Sequence, residues 1–215
     1  MHLVIGNKNY STWSLRPWLL LDAHQISFEE VSVSLLQDGI YQRLGKFSEA
    51  CKVPVLIDGD LTIWDSLAIC EYLSEIYLGG KGWPEPADDR ALARSLCSEM
   101  HSGFSALRNE LPMNCRALRT VDASKQAKRD IERIDSIWST YARESLEGSS
   151  RLFGQFSIAD CFFAPVVLRF ATYRIPLSQT ADAYASSILD HPSVQRWVAM
   201  ARNETEIIPE DEAGI

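Results

Sequence analysis

Long apolar runs are missing from this 215-residue chain. No uninterrupted stretch approaches the ~18 residues of a membrane span, so none is expected. The opening Met1-His2-Leu3-Val4-Ile5-Gly6 has no basic segment ahead of an apolar one, so no secretory signal is expected. Paired cysteine spacings are also missing. Cys51, Cys70, Cys97, Cys115 and Cys161 are odd in number and contain no CxxC. This argues against a disulfide framework or a zinc site and fits reduced thiols in the cytoplasm. The four histidines form no HxxxH pair, and no metal is expected. Positive charge is in short supply: 21 basic side chains against 29 acidic give a net charge of −8. That balance argues against nucleic acid or anionic membrane as a partner, because phosphate binding needs a positive footprint. It leaves room for a local basic pocket for a small anion.

What is present is a chain that is 46% hydrophobic, enough for a sizeable core. The first third alternates in type. Leu3-Val4-Ile5 reads as a buried strand and residues 14–24 as a helix. Residues 28–33 alternate like a strand, with Val31 and Val33 on one face, and a short helix fits residues 38–47. Pro54-Val55-Leu56-Ile57, Asp58-Gly59-Asp60 and Leu61-Thr62-Ile63 read as a hairpin, since Asp-Gly is the turn that suits strand twist. Residues 66–77 return to helical spacing. A parallel pair joined by a helix, followed by an antiparallel hairpin, predicts a mixed sheet with helices packed on it.

Residues 79–86 hold three glycines and two prolines, which no helix continues through. Beyond this linker no good strand series is found. Residues 88–110, 122–146, 157–173 and 193–203 read as helices, so the second half is expected to be all-helical. The acidic segment 204–215 is expected to be loosely held.

Five local features carry candidate chemistry. Asn9-Tyr10-Ser11-Thr12-Trp13-Ser14-Leu15-Arg16-Pro17 lies between the first strand and the first helix, where α/β folds place anions and reactive groups. Pro17 suits a first helical turn, so Ser11 or Thr12 stands at the positive helix end, as a cap or as a functional hydroxyl. Pro54 cannot donate to a ladder and belongs at a sheet edge or a strand start. Asp65-Ser66 opens the third helix, either as a cap or as a zwitterion site, with hydroxyl and helix N–H groups taking a carboxylate and Asp65 an ammonium. Ser157-Ile158-Ala159-Asp160 is close to a capping box. Cys51 beside Lys52 is a candidate thiolate without a resolving partner.

In order and spacing, Ser11-x-x-Ser14-Leu15-Arg16, Lys52-Val53-Pro54-Val55-Leu56, Asp65-Ser66 and Ser157-Ile158-Ala159-Asp160 resemble the cytosolic glutathione transferase family over nearly the whole chain. The N-terminal motif looks closest to the serine-type zeta class, which has a cysteine where Trp13 stands. The resemblance implies a thioredoxin-like domain over residues 1–78 with a mixed four-stranded sheet. A linker at 79–87 and an all-helical domain over 88–215 would follow. It implies glutathione as co-substrate and a cis Val53–Pro54 bond, with the Val53 backbone pairing with the cysteinyl unit like an added strand. Asp65 and Ser66 would hold the γ-glutamyl end, and Lys52 would reach the glycyl carboxylate. Ser157 and Asp160 would be a folding box. Ser11 is the expected catalytic hydroxyl, with Thr12 its substitute if the loop is rotated. Trp13, Met100 and Phe104 are the candidate pocket for a small hydrophobic electrophile. The implied protein is a homodimeric glutathione transferase; the alternatives are a glutathione-dependent cis–trans isomerase or a non-catalytic binding module.

Overall fold

A computed structural model describes residues 1–36, 38–145 and 148–215. Four strands form one sheet: β1 (His2–Ile5), β2 (Glu29–Ser32), β3 (Val55–Asp58) and β4 (Leu61–Trp64). Their order is β2-β1-β3-β4, with β1 parallel to β2 and the other neighbours antiparallel. The mixed sheet expected from the strand–helix–strand and hairpin pattern is therefore present. Gly59, at φ +59, takes the first position of the two-residue turn between Asp58 and Leu61.

The period-two alternation sorts the sheet's faces. Leu3, Ile5 and Leu56 join the main core, together with side chains of α1 (Thr12–Ala23) and α3 (Ser66–Leu78). Val4 and Val55 face the other way, under Leu44 of the short α2 (Ile40–Leu44). β2 is an exposed edge, with only Val31 half-buried.

After α3 ends at Gly79 in the left-handed conformation, the chain is mainly helical. It comprises α4 (Ala87–Ser102), α5 (Ser105–Glu110), α6 (Lys125–Tyr141), α7 (Ile158–Tyr173), α8 (Gln179–Leu189) and α9 (Pro192–Arg202). The main core runs without a break from the sheet side of α1 into α7. α7 is buried on every side except at Ala171, the signature of a central helix. No helix of the described residues is long and apolar enough to cross a membrane.

Four expectations need correction. The second half is not strand-free: β5 (Ala142–Glu144) pairs with β6 (Ser150–Leu152) in a small antiparallel ribbon. This ribbon ends the helix expected over 122–146 at Tyr141, and position 146 lies outside the described residues. The helix expected over 88–110 is two, because Gly103 is extended and Phe104 sits at φ +59. A Cβ at Gly103 would meet the Glu99 carbonyl at 2.8 Å. α8 adds a helix at 179–189 that the sequence reading passed over.

Fourth, the acidic end is docked rather than loose. Glu204 accepts from the backbone N–H of Lys8 and Asn9, Glu206 binds Asn7 and Ser34, and Glu212 binds Tyr10, Asn114 and Arg119. These three acids find donors far away in sequence, so their charge marks attachment and not solvation.

Candidate functional site

The site grows from three stretches of chain at one end of the sheet: the first turn of α1, the segment leading into β3, and the start of α3. Trp13, Cys51, Lys52, Val53, Pro54, Asp65 and Ser66 line a groove of about 730 Å³. The Val53–Pro54 peptide is cis, and Pro54 sits just ahead of β3, where its missing N–H removes no ladder bond. His101 of α4 closes the groove from the helical side.

At the start of α3, capping and groove lining coexist. Asp65 Oδ1 accepts from the Leu67 N–H at 2.8 Å, and Asp65 Oδ2 lies 3.2 Å from His101 Nε2. Asp65 stands at φ +78, a backbone region that an L side chain rarely takes. Ser66 accepts at Oγ from Nη1 of Arg16 at 3.2 Å, which leaves its own hydroxyl proton for another acceptor.

Beneath this floor is a buried cation. Arg16 is 2% exposed, its guanidinium lies 4.2 Å from the Trp13 ring and 4.3 Å from the Phe162 ring, and its Nε has no hydrogen-bond partner among the described residues. Burial, then the neighbouring Arg108, lowers its pKa to about 9. Arg108 also stands over Trp13, at 4.9 Å, and holds the Met100 and His101 carbonyls at the end of α4. Burial pushes the His101 imidazole down, against the pull of Asp65. Positive potential is thus concentrated behind the groove of a net-acidic protein.

The other expected residues fall elsewhere. Ser11 is the N-cap of α1; its hydroxyl donates to Ser14 Oγ at 2.8 Å and accepts from the Ser14 N–H at 3.4 Å. The Thr12 hydroxyl makes no hydrogen bond among the described residues. Neither side chain lines the groove. Met100 and Phe104 are in the main core and do not line it either. His101, between them, does. Its ring meets that of the groove residue Trp13, with centroids 5.0 Å apart. Among the described residues no group of His, Cys, Asp or Glu is placed to hold a metal ion.

With this geometry in place, comparison with known proteins is direct. Residues 10–76 match the sequence profile of the glutathione S-transferase N-terminal domain. The chain is 30% identical over 173 residues to the maleylacetoacetate isomerase of Rattus norvegicus, covering 78% of this chain and 76% of that one. It is 32% identical over 108 residues to a probable maleylacetoacetate isomerase of Vibrio cholerae, spanning 47% of this chain and 50% of that protein. In three dimensions it resembles a glutathione transferase homolog from Burkholderia that was crystallised with bound glutathione. That likeness has a TM-score of 0.72 and 25% identity, covering 94% of this chain and 98% of that one. A bacterial maleyl pyruvate isomerase of the zeta class shares the fold at TM-score 0.71 and 18% identity, covering 96% and 100%. The fold is thus a thioredoxin-like domain followed by a helical one. The chain belongs to the cytosolic glutathione transferase family, and its likeness there is to the zeta class.

Proposed function

We propose that this protein binds glutathione in the groove along Val53 and Asp65 and uses its thiol as a nucleophile toward a small hydrophobic electrophile. The observation that carries this reading is the convergence of Lys52, Val53, Pro54, Asp65 and Ser66 on one groove that Trp13 also lines. The extended tripeptide would pair with the Val53 backbone as an added strand. Its γ-glutamyl carboxylate would take the Ser66 hydroxyl proton and the α3 N-terminus, with the Arg16 charge behind them. Asp65, between Leu67 N–H and His101, would receive the ammonium. Lys52 would meet the glycyl carboxylate.

The thiol needs help at neutral pH. With a pKa near ~8.5 it is only about 3% thiolate at pH 7, and lowering that pKa by two units multiplies the fraction about 25-fold. Nucleophilicity falls at the same time by about 6- to 10-fold at a Brønsted slope of ~0.4–0.5. The net gain is a few-fold, so holding the electrophile beside the sulfur supplies most of the acceleration. The α1 N-terminus and a hydroxyl from Ser11 or Thr12 would lower the thiol pKa. The Ser11 proton is engaged by Ser14, whereas the Thr12 hydroxyl is uncommitted, which favours Thr12 as the donor unless Ser11 rotates away from its cap.

A second reading rests on the names of the relatives, which are maleylacetoacetate isomerases. In it the same thiolate adds to a conjugated carbon–carbon double bond. The adduct rotates about the resulting single bond and then expels the thiolate, so glutathione is regenerated.

The test is an ultraviolet titration of glutathione's thiol when bound to wild type, Ser11→Ala and Thr12→Ala. Wild type should lower the thiol pKa by one to two units, and the variant lacking the donor should lose most of that shift. A free-solution pKa in bound wild type would end the reading. Consumption of glutathione during turnover then marks a transferase, and its recovery an isomerase.

A further inference from the structure

We infer that Glu204, beyond α9, is a positioning residue for the β1–α1 loop, so that the pose of the thiol-activating hydroxyl is set from the far end of the chain. The inference rests on the glutathione reading for its catalytic part only.

The loop's own bonds are few. Tyr10 and Ser11 donate their backbone N–H to the Asn7 carbonyl at 3.1 and 2.8 Å, which closes one turn. The two N–H groups inside that turn, those of Lys8 and Asn9, point away from it. One carboxylate takes both: Glu204 Oε1 at 2.7 Å from Lys8 N and Oε2 at 3.0 Å from Asn9 N. Consecutive N–H groups aimed at one spot form an anion-binding concavity, and here the anion is a side chain of the same chain. Bonds to an ionised acceptor are about twice as strong as neutral ones.

The Glu204 segment is itself held from a third direction. Arg116 donates to the Glu204 and Glu206 carbonyls and to the Tyr10 hydroxyl, while Tyr10 donates to Glu212. Trp197 of α9 donates its indole N–H to the Lys8 carbonyl at 2.9 Å. The strap therefore binds the loop's donors, its one aromatic hydroxyl and one of its carbonyls at once. Ser11 and Thr12 follow that loop directly and open α1. A displacement of about 1 Å at a catalytic group costs on the order of 100-fold in rate, so a residue that fixes this turn bears on turnover without touching substrate.

Two variants and two readouts test this. Glu204→Ala removes both acceptors; Glu204→Gln retains one and serves if the alanine variant does not fold. Amide hydrogen exchange at Lys8 and Asn9 should accelerate by about tenfold or more in Glu204→Ala and by less in Glu204→Gln. The pKa of bound glutathione's thiol should rise toward its free value, and kcat should fall about tenfold or more with KM for glutathione within about threefold. Exchange within twofold of wild type in both variants would overturn the anchoring. Faster exchange with an unchanged thiol pKa and kcat would overturn the positioning role and leave Glu204 a purely structural contact. If wild type itself does not lower the thiol pKa, the glutathione reading and the catalytic part of this inference fall together, while exchange still decides the anchoring.

Discussion

Single side chains in this protein do two jobs where the sequence shows only one. Asp65 caps α3 and also presents its second oxygen to His101 in the groove. His191 is a plainer case with a measurable consequence. Its Nδ1 accepts the Ser193 N–H at 3.2 Å as the cap of α9, and its ring stacks on Phe156 with centroids 4.2 Å apart. Burial first, then Arg151 and Arg196, pushes its pKa down to about 4. The unfolded chain therefore takes up this proton near pH 6.5, before the folded one does. Stability from this group is present above that value and is lost as pH falls toward 4. Solvent reaches the ring, so the effect is discounted to about 1 kcal/mol. Urea titrations at pH 7 and 4.5 should show wild type losing about that much more than His191→Asn, which keeps a capping acceptor but does not titrate. Equal losses would remove His191 from this role.

Among the elements, α7 depends most on its first turn. Asp160 Oδ1 accepts from Leu152 N of β6 at 3.0 Å, and Oδ2 from Ser157 N at 2.9 Å, while Ser157 Oγ accepts from the Ala159 N–H at 3.2 Å. This capping box was readable from four residues, since its bonds are local. Its tie to β6 was not, because the ribbon exists only once the chain after Tyr141 has doubled back. Burial raises the Asp160 carboxyl to about 6 in spite of its hydrogen bonds. Asp160→Ala leaves two buried N–H groups without acceptors, at about 1–3 kcal/mol each, so a loss of roughly 3 kcal/mol is expected. Ser157→Ala should cost only about 1 kcal/mol. Denaturant midpoints that fall in the opposite order would contradict this division. The α4–α5 break at Gly103 was equally local, but the polar and apolar spacing on either side continues like one helix.

For the whole molecule, the main core passes from the sheet through α1 to α7, so the two halves share one apolar interior. Outside it, Leu61 and Trp64 on β4, Ile76 and Tyr77 on α3, and Leu92 on α4 remain exposed. Large apolar side chains left on adjoining elements fit association, and a second copy of this chain is the partner the family resemblance implies. Sedimentation should return twice the mass of one chain, and Ile76→Asp with Leu92→Asp should return it once. A wild-type monomer at micromolar concentration would contradict the proposal.

The sequence by itself determined the elements whose signals lie within a few residues. These are the strand–helix–strand opening, the Asp58-Gly59 hairpin, the break after Leu78, the caps at Asp65 and Ser157, and the placing of Lys52, Val53 and Pro54 ahead of β3. Tertiary structure alone decided which of these residues meet. It turned His101 into the groove and sent Met100 and Phe104 into the core. It committed the Ser11 proton to Ser14, and it drew Glu204 back across the fold to the amides of Lys8 and Asn9. Local preferences are set by covalent geometry and nearby hydrogen bonds. A side chain's partner 195 residues away is chosen only when packing has fixed where both ends stand.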